Sequence, residues 1–157
     1  MSSNVIVKVA RSWLGTPYRH QAHLKGVGTD CLGLICGVWS ELYGALPEPL
    51  PAYTADWAEA LKQETLLQAA RRHLLECPIG AAQSGDVLLF RLGLGHPAKH
   101  CAILTEPGQI IHAYWGRSVC ETRLVPWWQR RIAGAFRFPK PLPKQSFTAD
   151  ARSCDVE

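Results

Sequence analysis

The hydrophobic pattern changes period at Asp86, and that change limits the fold more than any other feature of the chain. Before it, apolar residues recur at helical spacing. After it come five short segments rich in β-formers, at 86–92, 100–105, 109–115, 118–124 and 134–139, with turn residues between them. Glu106-Pro107-Gly108 is a tight hairpin signal between the second and third. Helices first and a strand meander afterwards predict an α+β domain, in which N-terminal helices pack on an antiparallel sheet of five to six strands.

Three stretches carry the helical period. Residues 4–14 place Val5, Ile6, Val9, Ala10, Trp13 and Leu14 on one face, with Ser3 or Asn4 as cap and Gly15 as stop. Residues 31–43 place Cys31, Leu34, Ile35, Val38 and Leu42 together, and Gly44 ends the run. Within it Gly33 and Gly37 each cost about 1 kcal/mol against alanine, which predicts a face pressed closely against another element. Residues 56–76, in one or two pieces, align Leu61, Leu67, Ala70 and Leu74. An extended connection through Pro47, Pro49 and Pro51 precedes them. At 157 residues the chain makes one domain, placed at 1–140, with a loosely held Pro/Lys/Ser-containing tail over 141–157.

Composition removes several classes of function. No apolar run approaches the ~20 residues that span a bilayer, so membrane insertion is not expected. The N-terminus shows no secretory signal pattern, which predicts synthesis in the cytoplasm and some other route outward. The 17 basic residues give a net charge of +4 but are too dispersed for a nucleic-acid footprint. Six cysteines occur without a C-x-x-C pair, so zinc-ribbon and thioredoxin-type readings lose their support. The thiols are expected to be mostly reduced, with Cys36, Cys101 and Cys120 as small core fillers.

The chemistry concentrates at Gly28-Thr29-Asp30-Cys31-Leu32-Gly33-Leu34. Asp30 suits a helix N-cap, and Cys31 then occupies the first helical position, where the dipole favours a thiolate. A base is required. His100 opens the second strand segment and His112 lies in the third. A hairpin centred on Pro107 pairs Ala102 with His112, so His100 and His112 become diagonal neighbours on one face, roughly 7–8 Å apart at the backbone. With Cys31 as third ligand the pair also suits a metal, but no carboxylate completes an ordinary catalytic zinc site, and no cofactor is expected. The nucleophilic arrangement is preferred: Cys31 attacks, His100 is its base and His112 orients that base. Tyr18 follows a turn close in sequence to the thiol, and its hydroxyl is within reach of the site. His20 and His23 fall in the loop before Cys31, where they suit the substrate entrance, and His73 suits a solvated helix surface.

Gly15-Thr16-Pro17-Tyr18, Asp30-Cys31-Leu32-Gly33-Leu34, Gly85-Asp86-Val87-Leu88-Leu89-Phe90, His100 before an apolar strand and His112 twelve residues later closely resemble, in order and spacing, the NlpC-type family of papain-like cell-wall cysteine endopeptidases. The likeness covers about 4–138 and is nearest to the compact versions encoded by tailed phages and gene transfer agents. It implies hydrolysis of peptidoglycan stem peptides, commonly between D-glutamate and diaminopimelate. Cys31 then corresponds to the nucleophile, His100 to the base and His112 to the orienting residue. Tyr18 corresponds to the tyrosine lining the site, a further donor to the oxyanion, and Asp30 to the acid before the nucleophile. One departure stands out. Leu32 occupies the position where many members carry a serine that helps bind the stem peptide's free amine, so the bond cut stays open. The resemblance further implies tail or hub proteins of a phage-like particle as partners, with the periplasmic wall as site of action.

Two other classes compete. A non-catalytic tail component would keep the fold for docking, with Trp127-Trp128 and the proline-rich C-terminus as its surface. A thiol acyltransferase or amidase on the same core would want an apolar acyl channel.

Overall fold

The structure, a computed structural model, describes residues 2–48 and 64–139. Helix α1 runs Ser2–Arg11. A two-stranded ribbon, β1 (His23–Leu24) with β2 (Gly28–Thr29), then feeds α2 (Cys31–Tyr43). Helix α3 (Thr65–His73) leads into β3 (Leu75–Cys77). The remaining strands are β4 (Val87–Phe90), β5 (His100–Glu106), β6 (Gln109–His112), β7 (Cys120–Arg123) and β8 (Ile132–Arg137), with a short α4 (Pro126–Gln129) before the last. Six strands form one antiparallel sheet in the order β3-β8-β4-β5-β6-β7. The expected α+β architecture is present, and each of the five anticipated strands appears within its window or within two residues of it.

The sheet is cored on both faces, which is why β4 is buried at all four positions. Val87, Leu89, Cys101, Ile103 and Ile111 face α1, α2 and α3. Leu88, Phe90, Ala102, Leu104 and Ile110 face the other way, where Leu124, Trp128 and Ile132 cover them.

Two local expectations shift. The apolar stripe of α1 is Ile6, Val7 and Ala10, while Val5 is 47% and Leu14 44% exposed. The helix ends at Arg11, so Trp13 is delivered by the following turn and Leu14 points outward. The helix expected through residue 76 stops at His73. Leu74 is already extended (φ −116°, ψ 166°), and Leu75–Cys77 pairs with β8, Leu75 opposite Arg137. Pairing with a strand far along the chain overrides a helical pattern that was locally adequate. Leu67, Ala70 and Leu74 are buried as expected. Leu61, the 49–63 connection and the 141–157 tail lie outside the described residues.

The close approach inferred from Gly33 and Gly37 is real. A Cβ at Gly33 would collide with the Ala22 carbonyl and one at Gly37 with the Trp13 indole. These contacts seat α2 between the loop that precedes it and the end of α1. Gly37→Ala is therefore expected to overpack the α1–α2 contact at a cost of about 1–3 kcal/mol, against a propensity gain of about 1 kcal/mol. A thermal melt should show a midpoint lower by a few degrees; an unchanged midpoint would mean that Trp13 yields freely.

Candidate active site

Asp30 caps α2 as its sequence position implies. Its Oδ1 accepts the Gly33 N–H at 2.7 Å and its Oδ2 the Gln21 N–H at 2.8 Å, and the carboxylate is buried. This fixes Cys31 at the first helical position with its sulfur over the start of β5, 3.7 Å from the Lys99 carbonyl oxygen. Cys101 and His100 are the neighbours that draw the same sulfur toward its ionised form.

The hairpin supplies the rest. β5 and β6 pair Ile103 with Ile111 and Leu104 with Ile110, a register that, continued one step, sets Ala102 opposite His112. His100 and His112 consequently share a face, and His100 Nε2 lies 2.9 Å from His112 Nδ1. That leaves His100 Nδ1 as the ring nitrogen available to the sulfur. His112 Nε2 in turn lies 3.1 Å from Thr122 Oγ1 on β7. Cys31, His100, His112 and Thr122 thus form one connected relay drawn from α2, β5, β6 and β7.

Protonation states follow from the surroundings. Burial, and then the neighbouring His100, push His112 down to about 3. It is neutral over the whole working range, and the tautomer that serves a base is the one in which Nε2–H donates to Thr122 Oγ1 and Nδ1 accepts from His100 Nε2–H. This is the tautomer that orients His100 with Nδ1 toward sulfur. The Cys31 thiol is pulled well below its ordinary value, first by the Cys101 hydrogen bond and then by His100 through hydrogen bond and charge. Burial and the Asp30 carboxylate oppose that pull. Asp30 therefore serves the thiolate by geometry, not by charge. Cys101 moves the opposite way, well upward, because it gives its hydrogen bond to the Cys31 sulfur and is itself buried. One thiol of the pair ionises and the other stays a donor.

Removing that donor has a readable consequence. Cys101→Val keeps the apolar volume and is expected to shift the pH midpoint of Cys31 alkylation upward. Both Cys101 and His100 lower the Cys31 thiol, so losing either moves the onset of its ionisation toward higher pH. Rates of reaction with iodoacetamide across pH test this; coincident profiles would show that Cys101 contributes nothing to the thiolate.

Tyr18 stands where the sequence suggests. It bridges to Thr29 and packs against Trp115, centroids 5.9 Å apart. Burial first, and then charge on Cys31 and Asp30, push its phenol up to about 12, so it remains an O–H donor that feels the charge of the sulfur. Leu32 lines an apolar cavity of about 110 Å³ between α2 and α3, together with Ile35, Trp39, Leu66 and Leu89. His20 Nδ1 is 3.9 Å from Asp30 Oδ2, while His23 lies on the exposed β1. His73 differs from its expected solvated position: it is half-buried, 3.0 Å from Glu48 Oε1. Among the described residues no group of three or more His, Cys, Asp or Glu is placed to hold a metal ion.

Three contributors were not singled out in the sequence. Thr122 required the β6–β7 register, which pairs His112 with Cys120 and Ile110 with Thr122, so that Thr122 shares the His112 face. Cys101 passed as a core residue, since it alternates with His100 and faces the helices. Trp128 passed as a docking residue, but its indole stacks on the His100 ring at 4.9 Å.

The fold recurs in known proteins. The NlpC/P60 family model matches residues 15–137, which contain every residue of the relay. Among curated proteins none matches the chain significantly. Several solved structures share the fold. The NlpC/p60 domain of the peptidoglycan hydrolase SagA is 24% identical, with 88% of this chain and 100% of that one covered at a TM-score of 0.61. An NlpC/P60 family protein from Bacillus cereus is 23% identical, covering 90% of this chain and 40% of its own, TM-score 0.61. The peptidoglycan hydrolase RipB of Mycobacterium tuberculosis is 18% identical, covering 89% and 66%, TM-score 0.60. The chain thus spans the whole of the first but about two fifths of the second. With the family pattern matched from the first turn to the last strand, this chain belongs to the NlpC/P60 family.

Proposed function

We propose that the protein is a cysteine peptidase that hydrolyses peptide bonds in peptidoglycan stem peptides. The observation that carries this reading is the relay: a helix-tip thiol drawn toward ionisation by His100, whose Nε2 lies 2.9 Å from the Nδ1 of a buried His112 that is neutral at neutral pH. In the proposed reaction the Cys31 thiolate attacks the scissile carbonyl carbon and His100 holds the proton. The tetrahedral oxyanion meets the Cys31 N–H at the start of α2, with Tyr18 as a further donor. His100 then protonates the leaving amine as the thioester forms. Water, deprotonated by the same imidazole, releases the acid and restores the thiol.

The bond between D-glutamate and diaminopimelate is the proposed target, after the family resemblance. Leu32 in place of serine argues against strong binding of a free N-terminal amine, so an uncapped N-terminal L-alanine is not required of the substrate. We further place the domain in a phage-type tail, where tail or hub proteins would bring it to the periplasmic wall. Acyl transfer from lipids fits less well. Nothing in the relay selects a lipid acyl group over a peptide carbonyl.

Incubation of the purified protein with peptidoglycan, followed by mass spectrometry of released material, tests the reading. Fragments with a new N-terminus at diaminopimelate are expected. Intact stem peptides after prolonged incubation, despite a Cys31 that alkylates rapidly at neutral pH, would overturn it.

A further inference from the structure

Trp128 sits on the short α4 between β7 and β8, remote in sequence from every residue of the relay. Its indole nevertheless lies against five rings. It stacks on His100 with centroids 4.9 Å and planes 29° apart. It stands edge-on to His112 at 5.4 Å, to Phe90 at 5.0 Å and to Tyr114 at 5.5 Å. On its outer side Trp127 packs edge-to-face at 4.8 Å, and the Arg131 guanidinium lies 3.7 Å from the Trp127 ring centroid. Arg131 also donates to the Trp127 carbonyl at 2.7 Å, and Gln129 Nε2 to the Leu124 carbonyl at 2.8 Å. A helix of four residues is thereby pinned at both ends.

Two consequences follow for the imidazole pair. A stacked ring fixes the plane of His100, which otherwise turns about its side-chain torsions. The indole also closes the pair from water: His100 is 4% and His112 3% exposed. A hydrogen bond shielded in this way is stronger and better directed than one open to solvent.

We infer that Trp128 is a positioning residue for the nucleophile and its base, fixing the His100 ring plane and screening the His100–His112 hydrogen bond, and acting on Cys31 only through His100. The titratable groups facing His100 are Cys31 on α2, His112 on β6 and Tyr114 just beyond it, with Asp30 at one remove. Helix α4 brings none of its own; of the two cations that follow it, Arg130 is exposed at its C-terminal end and Arg131 lies over Trp127. Only the activity arm of the test rests on the peptidase reading.

Trp128→Phe and Trp128→Leu separate an aromatic face from apolar bulk, since both still pack against Phe90 and its neighbours. Thermal melts, the pH profile of Cys31 alkylation by iodoacetamide, and kcat and KM on a soluble stem peptide are the readouts. The phenylalanine variant is expected to stay within about threefold of wild type, and the leucine variant to lose about tenfold or more in kcat at similar KM. Its alkylation midpoint should also move upward. Trp128→Met, likewise without an aromatic face, carries the same expectation and decides the matter should the leucine variant not fold. A folded leucine or methionine variant matching phenylalanine in both midpoint and kcat would overturn the assignment, as would failure of all three to fold. Wild-type protein that alkylates as a low-pKa thiol yet releases no peptide would sink the peptidase reading and leave the alkylation comparison standing.

Discussion

Cys31→Ala is expected to abolish release of peptide fragments from peptidoglycan, a drop of at least about 10⁴-fold, with circular dichroism unchanged. The fold does not need the sulfur. Alanine is the best helix former, and Asp30 still caps α2 through Gly33 and Gln21. The hydrogen bond from the sulfur to the Lys99 carbonyl is long, at 3.7 Å, and holds little of the helix in place. Nor does a neighbouring thiol substitute for it. Cys101 lies close enough to hydrogen-bond Cys31, but it is buried against the helices and its pKa is driven upward. With Cys31 gone it no longer has a thiolate to serve and remains an ordinary buried thiol. Hydrolysis persisting in a clean preparation of the alanine variant would refute the nucleophile assignment.

His112→Ala should lower kcat by roughly 10²–10⁴-fold, the range spanned by general-base catalysis and by removal of the residue that orients it. Because burial holds His112 near 3, the substitution removes no charge at neutral pH, and the effect is one of orientation. His100 Nε2 would be left without its 2.9 Å partner, and the ring would be free to present the wrong tautomer to sulfur. His112→Gln, with an acceptor and a donor at similar reach, should recover part of the rate. The same residue predicts an acid sensitivity of the fold. In the unfolded chain it titrates near its ordinary 6.5, whereas the folded chain resists protonation down to about 3. Stability is thus full above about pH 6.5 and falls progressively as pH drops from 6.5 toward 3. The glutamine variant should lack that slope in denaturant titrations. Parallel decreases of stability and activity at pH 7 in His112→Ala would instead mark the residue as structural.

Much of this was legible in the chain because the governing forces are local. The change of period at Asp86 separates helices from sheet. The Asp30 cap fixes where α2 begins, and Gly33 and Gly37 announce its close packing. The turn at Glu106–Gly108 closes the hairpin with Glu106 opposite Gln109, and a one-residue irregularity between Leu104 and Glu106 shifts the register so that His100 and His112 share a face. Each of these depends on residues a few positions apart. What the sequence could not supply was the order in which distant strands meet. Strand β3 is short and exists only because β8 offers its edge. Thr122 joins the relay only once β7 is paired to β6, and Cys101 meets Cys31 only once α2 lies across β5. Trp128 reaches His100 because β8 crosses back beside β4 and carries α4 over the open face of the sheet. Local backbone preferences chose the elements and the two histidines' shared side. Long-range pairing and packing, driven by burial on both faces of the sheet, decided which side chains surround them.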